Sequence, residues 1–204
     1  MKNEVDHLAL MMADVVSRLS TVQRYNTSPR VRTESVAEHT FCVAFFAYIF
    51  QMYLRVEMNI EVDLGRMMSM ALIHDVDEAF TGDVVHTVKH HTVVPELREA
   101  LDRVSVIALS EVFSDIPGLL RDEFMDLWEE AKAVSTMEAK IFKLADVASI
   151  LYHSNLQELL GNRHFVPIRE RAERRFEQLV NEFGFPPQLC SFPKAIRGMK
   201  TGNF

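Results

Sequence analysis

The sequence predicts an all-α protein that forms a single domain. Glycine and proline number seven each among 204 residues and gather near segment ends, so apolar residues recur at helical spacing over long stretches. The alternation of apolar and polar residues that marks strands is nearly absent. No repeat, low-complexity tract or long linker divides the chain. We therefore expect one bundle of about six to eight helices over residues 1–204.

The first two predicted helices flank a segment rich in turn formers. The first is expected from Glu4 to Arg24, with its apolar residues on one face, and ends before Pro29. The second begins at Ser35, because Ser35 and Glu38 have the spacing of a capping box, in which each side chain bonds the other residue's backbone. The run from Phe41 to Phe50 follows, and it would make this helix apolar on nearly every side. Such a pattern is typical of a central helix.

The rest of the chain predicts further helices and an irregular end. A third helix starts near Asp63 and runs up to the pair His74 and Asp75. The segment 186–204 is rich in turn formers and is expected to be irregular. Helical spacing of apolar residues extends over 95–113, 117–133, 135–160 and 166–183.

Composition excludes several classes of partner. The formal net charge of −7 disfavours binding to a nucleic acid polymer. The N-terminus lacks a basic-then-apolar signal pattern, and no apolar stretch reaches the roughly 18 residues of a membrane span. Two widely separated cysteines fit a reducing compartment. We expect a cytoplasmic protein without a membrane partner.

Charged and imidazole side chains in apolar surroundings predict a metal site. Asp75 follows an apolar run, and burying a carboxylate without compensation costs several kcal/mol. Asp146 has similar neighbours, and His39 lies in the first turn of the central helix. With His74 they supply two imidazoles and two carboxylates, a set that suits one divalent ion such as Mn²⁺, Co²⁺, Fe²⁺ or Zn²⁺. On an octahedral ion these four ligands would leave room for water or a phosphate oxygen.

Four stretches of this sequence resemble a known family. The doublet His74-Asp75 is the signature of the HD-domain phosphohydrolases. The stretches also resemble the bacterial 5′-deoxynucleotidases of the YfbR type, and the resemblance spans roughly residues 18–160. They are Arg24-Tyr25, the run from Val31 to His39, the run from His74 to Asp83, and Lys143 to Asp146.

The resemblance implies an HD-domain helical bundle and an activity. A metal-activated water would hydrolyse the 5′-phosphate of a deoxynucleoside monophosphate, with Asp75 and Glu78 as catalytic residues. Arg24 would contact the phosphate, and Asp83 would accept a hydrogen bond from the sugar 3′-hydroxyl. Lys89 would add a movable positive charge near the phosphate.

Two departures from the family bear on the substrate. Tyr25 stands where the family usually has a tryptophan that crowds the sugar 2′ position, so deoxyribose selectivity is expected to be weaker. The segment 84–89 replaces a proline-bearing stretch and could reshape the pocket wall. Because related viral enzymes hydrolyse dATP to the deoxynucleoside and triphosphate, a dNTP triphosphohydrolase is the alternative. Arg30, Arg32, His86 and Lys89 are basic residues that could serve a triphosphate.

Other classes remain open at this stage. Cyclic-nucleotide or (p)ppGpp hydrolysis would use the same doublet on a helical scaffold, and a cyclic-nucleotide enzyme would add a second metal, for which His86, His90 and His91 are candidates. A nucleotide-binding protein with a degenerate site is the non-enzymatic alternative, although the complete ligand set argues against it. We also expect a homodimer or higher homo-oligomer, for which the apolar helix 117–133 could supply the interface instead of joining the core.

Overall fold

The computed structural model describes residues 4–84, 95–114 and 116–199. Within these ranges every regular element is a helix, and the one trace of sheet pairing is an isolated antiparallel bridge between Gln23 and Ser35. The predicted all-α class is confirmed. The α-helices are α1 (Glu4–Thr21), α2 (Val36–Met58), α3 (Leu64–Ile73), α4 (Glu78–Thr81), α5 (Pro95–Val112), α6 (Gly118–Ala133), α7 (Met137–Leu159), α8 (Val166–Glu182) and α9 (Phe192–Arg197), and the 3₁₀ helices are η1 (Arg163–Phe165) and η2 (Pro187–Ser191).

The main hydrophobic core surrounds α7, which packs against α2, α3 and α8. Side chains from all four helices are fully buried there, among them Leu54, Met67, Leu151 and Phe176. Each such side chain contributes about 1.5–3 kcal/mol when it leaves water. Three of these helices also carry the candidate metal ligands, so the core fixes the frame on which the site is built.

A second, smaller cluster joins α1, α4, α5 and α6. It contains Leu19, Leu109 and Trp128, and Phe124 packs against it. Trp128 is only 2% exposed, whereas Leu119 on the same helix is 80% exposed. The aromatic residues of α6 therefore belong to the core, and α6 does not offer them as an interface.

The first helix ends earlier than its apolar pattern predicts. It stops at Thr21 instead of Arg24, because the following residues pair with the chain that leads into α2. The Arg24 amide donates to the Glu34 carbonyl at 2.9 Å, and the Val36 amide donates to the Val22 carbonyl at 3.0 Å. This pairing places Arg24 beside the start of α2.

The C-terminal segment is more regular than the sequence predicts. The range 186–204 was expected to be irregular, but η2 and α9 occupy Pro187–Ser191 and Phe192–Arg197. Phe192 packs against the main core, and the Asn155 side chain of α7 donates to the Ile196 carbonyl at 2.9 Å. These tertiary contacts stabilise two short helices, which the turn-forming residues of this segment do not predict.

Among the described helices, α2 alone is long and apolar enough to cross a membrane by length and composition. Val43, Ala47 and Leu54 on this helix are nevertheless fully buried in the main core. The high hydropathy of α2 thus reflects in part its central position in the bundle, as the sequence predicts.

Candidate active site

Three helices bring the predicted metal ligands to one place. His39 lies in the first turn of α2, which the capping box of Ser35 and Glu38 begins as predicted. His74 is the residue that ends α3, with Asp75 directly after it, and Asp146 lies in the middle of α7. The doublet thus sits at a helix end, where neighbouring side chains can turn toward one point.

Ligand atoms of His39, His74 and Asp146 all lie within 4.8 Å of one another, and Asp75 is close to both imidazoles. His39 Nε2 lies 3.4 Å from His74 Nε2, 3.3 Å from Asp146 Oδ1 and 3.7 Å from Asp75 Oδ2. His74 Nε2 lies 3.2 Å from Asp75 Oδ2. Atoms that each stand about 2.1 Å from one ion are roughly 3.0–3.4 Å apart. The spacing of the His39, His74 and Asp146 atoms therefore fits a single small divalent cation, and Asp75 lies beside this group.

Hydrogen bonds on the far side of each imidazole orient both rings. His39 Nδ1 lies 3.0 Å from the Ser149 hydroxyl of α7, and His74 Nδ1 lies 2.9 Å from the Ala71 carbonyl. A bond at Nδ1 leaves Nε2 to face the other ligands, which is the usual arrangement of metal-binding histidines. The rings are thus pre-oriented for coordination through Nε2.

Burial and neighbouring charges shift the pKa values of the two imidazoles in opposite directions. Burial and the positive charge of Arg24 lower the pKa of His39, which favours the neutral ring that can ligate a metal. Burial also acts to lower the pKa of His74, but Asp75 and Asp146 outweigh it and raise that pKa. The same negative charge would attract a divalent cation.

Both carboxylates are held ionised. Burial alone would raise the pKa of Asp75, but His74 and Arg24 lower it far below its usual range. Burial opposes ionisation of Asp146 as well, yet Lys143 and His39 keep its pKa well below the usual value. Lys143 Nζ lies 2.7 Å from Asp146 Oδ2, so Oδ1 is the oxygen that faces His39.

Arg24 is bound to the site through Asp75. Its Nη1 donates to Asp75 Oδ2 at 3.0 Å, and its Nε lies 3.5 Å from Glu34 Oε2. Burial alone would lower the pKa of Arg24, but neighbouring Tyr25, Asp75 and Glu34 outweigh it and raise the pKa, so the guanidinium stays charged. The positively charged Arg24 side chain therefore lies beside the candidate metal ligands.

Glu34 and His153 form a polar layer behind Arg24. His153 Nδ1 lies 3.3 Å from Glu34 Oε1, and Gln157 Nε2 lies 3.2 Å from His153 Nε2. Burial acts to raise the pKa of Glu34, but the hydrogen bond with His153 and the nearby positive charges lower it. The Tyr25 ring stacks on His153 with centroids 5.3 Å apart and an interplanar angle of 5°.

Tyr25 and Asp83 are in direct contact. The Tyr25 amide donates to Asp83 Oδ2 at 2.9 Å, and the Asn26 side chain donates to the Asp83 carbonyl at 3.1 Å. Tyr25 has a φ of +54°, in the left-handed region that non-glycine residues seldom adopt. The hydrogen bond to Asp83 helps to hold this conformation. It also ties Tyr25, next to Arg24, to the residues that follow α4.

Glu78 begins α4, one turn beyond the doublet. It is 3% exposed, and its amide donates to the Asp75 carbonyl at 3.0 Å. Its negative charge is among those that raise the pKa of Arg24. The structure therefore places Glu78 inside the charged environment of the site and not on a solvated helix end.

A cavity of about 140 Å³ opens beside His74 and Asp75. Basic side chains from two other helices line it, Arg98 from α5 and Lys132 from α6. Lys132 Nζ lies 3.2 Å from Asp102 and 3.6 Å from the centre of the Trp128 ring, so its position is fixed. Neither basic residue was expected near the site from the sequence.

Several predicted site residues are elsewhere or outside the described ranges. Lys89, His86, His90 and His91 lie outside the described residues. Arg30 donates through Nη1 to the Arg24 carbonyl at 2.7 Å and so stabilises the Arg24 segment from outside the ligand cluster.

Known proteins resemble this chain in sequence and in fold. The profile described as 5′-deoxynucleotidase YfbR-like matches residues 12–184. A 5′-deoxynucleotidase of Yersinia pestis strain Pestoides F is 30% identical over 160 residues, which cover 78% of this chain and 79% of that protein. The chain belongs to the YfbR-like 5′-deoxynucleotidase family.

Solved structures of HD-domain phosphohydrolases have the same fold. One from Listeria innocua has a TM-score of 0.74 and 27% identity, covering 94% of this chain and 87% of its own. The cyanophage S-2L enzyme DatZ, bound to dA and one catalytic Zn²⁺ ion, has a TM-score of 0.66 and 18% identity over 92% of this chain and 96% of its own. The chain is therefore a hydrolase of the HD-domain phosphohydrolase class.

A polar stripe on α7 was not predicted from the sequence. Ser149, His153 and Gln157 continue the face of Asp146 at spacings of three and four residues, and all of them are buried. Ser149 orients His39, and His153 contacts Glu34. The signal was available, because buried polar side chains repeated along one face of an apolar helix require partners.

Proposed function

We propose that this protein hydrolyses the 5′-phosphate of deoxynucleoside monophosphates, releasing a deoxynucleoside and orthophosphate. The observation that carries the proposal is the cluster of His39, His74 and Asp146, with Asp75 beside both imidazoles and the Arg24 guanidinium on Asp75. Membership of the YfbR-like family supports the reaction and the substrate class.

The four ligands would hold one divalent ion from the first transition row, such as Mn²⁺, Co²⁺, Fe²⁺ or Zn²⁺. When bound, the ion would lower the pKa of a water and neutralise charge on the phosphoryl oxygens. Ser149 and the Ala71 carbonyl fix the two imidazoles, so the ligand geometry exists before substrate arrives. Pre-organised ligands of this kind reduce the reorganisation needed during the reaction.

Arg24 and Glu78 would act on the phosphate and on the attacking water. Arg24 presents a planar set of donors that matches phosphate oxygens, and its contact with Asp75 positions it next to the metal ligands. Glu78, one turn past the doublet, would orient the water or hold its proton.

The remaining residues would set the sugar specificity. Asp83 would accept a hydrogen bond from the 3′-hydroxyl, and Tyr25, whose backbone N–H donates a hydrogen bond to Asp83, would lie against the deoxyribose. Lys89 keeps its proposed role near the phosphate, and the cytoplasmic location also stays a prediction.

The alternatives are less well supported. Triphosphohydrolysis of dNTPs is not favoured by the family to which the chain belongs. A degenerate nucleotide-binding site would have no need for both oriented imidazoles and both ionised carboxylates. Cyclic-nucleotide hydrolysis would need a second metal at His86, His90 and His91, which lie outside the described residues.

A product assay tests the proposal. Purified protein is incubated with Mn²⁺ or Co²⁺ and, separately, with each dNMP, each dNTP and the matching ribonucleotides. Orthophosphate from dNMPs is the expected product. Tripolyphosphate from dNTPs, without hydrolysis of dNMPs, would establish the alternative instead, and no product from either would reject both.

His39→Ala connects the reaction to the site. Loss of a residue that only orients a metal ligand costs about 10–100-fold, so loss of a ligand should lower kcat/KM by more than about 100-fold. His164→Ala is the control, because His164 is exposed in η1 and lies outside the ligand cluster. Equal activity of the two variants would remove His39 from the mechanism.

A further inference from the structure

A shallow groove lies between the loop that leads into α2 and the chain that follows α7. Residues 29–31 form one wall and residues 161–164 form the other, and the volume of about 350 Å³ is within the range of small-molecule sites. Two guanidiniums and one imidazole line it, from Arg30, Arg163 and His164, and among the described residues no carboxylate does. The formal net charge of the chain is −7, so this groove is a local concentration of positive charge, which attracts anions.

Buried amide side chains hold the two walls of the groove together. Asn162 Nδ2 donates to the Pro29 carbonyl at 2.8 Å, and the Val31 amide donates to Gln157 Oε1 at 3.0 Å. The Gln157 and Asn162 side chains are also in contact, with Nδ2 of Asn162 3.1 Å from Oε1 of Gln157. Because these bonds lie within the chain, the groove has its shape before a ligand arrives, and a preformed site loses less conformational freedom on binding.

Two series of hydrogen bonds and ion pairs connect the groove to Arg24. On one wall, Arg30 Nη1 donates to the Arg24 carbonyl at 2.7 Å. From the α7 side, Gln157 contacts His153, and His153 contacts Glu34. Glu34 Oε2 in turn lies 3.5 Å from Arg24 Nε. The groove therefore lies on the outer side of the residues that position Arg24.

We propose that this groove is an effector site, which binds a di- or triphosphate group through Arg30 and Arg163 and thereby changes the position of Arg24. The ligand is either a free polyphosphate or a nucleotide that carries the same group. Guanidiniums form charge-assisted, planar pairs of hydrogen bonds with phosphate oxygens. Two of them on facing walls match the charge of a di- or triphosphate better than that of orthophosphate. Binding does not depend on the proposed reaction, whereas its effect on turnover rests on that reaction.

The hydrogen bond between Arg30 and the Arg24 carbonyl determines the direction of the effect. A hydrogen bond between two charged groups is stronger than one from a guanidinium to a neutral carbonyl. A phosphate oxygen in the groove therefore draws the Arg30 guanidinium from the Arg24 carbonyl, and the Arg24 segment loses one of the bonds that hold it. A small displacement of a group that contacts the reacting phosphate lowers the rate of the reaction. An occupied groove should therefore lower kcat.

Titration calorimetry tests the site on metal-free protein, with inorganic pyrophosphate as the probe. Arg163→Glu should weaken pyrophosphate binding at least about 10-fold, because it removes a charge-assisted hydrogen bond and adds a like charge. Arg163→Gln, which adds no negative charge, should weaken it less. Arg174→Glu is the matched control, since Arg174 is exposed on α8 and does not line the groove. Absence of binding to the wild type, or equal binding to Arg163→Glu and Arg174→Glu, would overturn the proposal.

Titrations with other anions identify the ligand. Orthophosphate should bind more weakly than pyrophosphate, and equal affinity for the two would reject a di- or triphosphate group as the ligand. Tripolyphosphate and dATP distinguish the two sources of that group. If dATP binds no more tightly than tripolyphosphate, the phosphate chain alone is recognised. Tighter binding of dATP that Arg163→Glu abolishes would assign a nucleotide as the ligand.

Steady-state kinetics at a fixed free Mn²⁺ concentration separate the groove from the candidate active site. Pyrophosphate that competes with a dNMP at the metal raises KM, whereas pyrophosphate in the groove lowers kcat. We expect kcat of the wild type to fall about 10-fold at saturation, the usual effect of losing a positioning contact. Arg163→Glu should lose this fall and keep any rise in KM. An unchanged kcat in the wild type would overturn the effect on Arg24. If no dNMP is hydrolysed at all, the proposed reaction is wrong, and calorimetry alone decides the site.

Discussion

Arg24 stands between two carboxylates that have different neighbours. Asp75 belongs to the ligand cluster, whereas Glu34 is tied to His153 on α7 and lies 3.5 Å from Arg24 Nε. With Nη1 on Asp75 and Nε near Glu34, the planar guanidinium has a fixed orientation. We therefore predict that Glu34 acts on the phosphate only by positioning Arg24.

Glu34→Gln should lower kcat roughly 10-fold, because partners that orient a metal-site group are worth about 10–100-fold in activity. The amide keeps the size of the side chain but loses the charge that fixes Arg24. Metal content should be unchanged, since Glu34 does not contact the ligand atoms. Steady-state kinetics and elemental analysis measure both quantities.

Glu158→Gln is the control for this substitution. It removes one charge from a comparable ion pair, that of Glu158 with Arg169, at a distance from the ligand cluster. Equal losses of kcat in both variants, matched by equal losses of melting temperature, would assign the effect of Glu34 to folding. Unchanged kcat in Glu34→Gln would remove its positioning role.

The sequence could identify ligands more readily than the groups that orient them. Asp75, Asp146 and the histidines were conspicuous as polar residues in apolar runs, which have a strong physical reason to share a cation. The partner of His39 is Ser149, 110 residues away along the chain. A serine on a helix has many possible partners, so only the packing of α2 on α7 identifies this one.

At the scale of helices, the start of α2 determines the position of His39. The Ser35 hydroxyl accepts from the Glu38 amide at 3.1 Å, and Glu38 accepts from the Ser35 amide at 2.7 Å. The bridge between Gln23 and Ser35 attaches the same turn to the Arg24 segment. The first helical turn is therefore fixed from two directions.

Ser35→Ala should destabilise the fold by about 1 kcal/mol, the usual cost of losing a serine N-cap. It should also weaken metal binding, because the His39 backbone lies in the turn that loosens. Urea denaturation and titration with Mn²⁺ measure the two effects.

Thr136→Ala provides the comparison for Ser35→Ala. Thr136 caps α7 by accepting from the Ala139 amide at 3.2 Å, but Asp146 lies more than two turns further along that helix. We expect a similar loss of stability with unchanged metal affinity. If metal affinity falls equally in both variants, local placement of His39 by its cap is not the cause.

Capping residues also explain which helix boundaries were predictable. Ser35 and Asp63 begin α2 and α3 where the sequence places them, because a side chain that accepts from the third amide is a local signal. The end of α1 depends on pairing with residues 34–36, and α9 depends on contacts with the core and α7. Both are tertiary effects, which a local pattern does not contain.

At the scale of the whole molecule, the candidate site exists only in the folded chain. Its ligands come from α2, the end of α3 and α7, and the main core holds these helices together. In the unfolded chain, tens of residues separate His39, the pair His74-Asp75 and Asp146 from one another, so it binds a divalent ion weakly. A bound metal should therefore stabilise the fold by mass action.

Metal addition should raise the melting temperature of protein stripped with a chelator. At a free concentration about 100 times the Kd, the gain is about 2.7 kcal/mol. For a chain of this size, that corresponds to an increase of roughly 5–10 °C.

Asp146→Asn should lose most of the increase, because the amide is a weaker ligand without the negative charge. Asp126→Asn on the exposed side of α6 should retain it. Scanning calorimetry with and without Mn²⁺ compares the three proteins, and an undiminished increase in Asp146→Asn would mean that the stabilising ion binds somewhere other than this cluster.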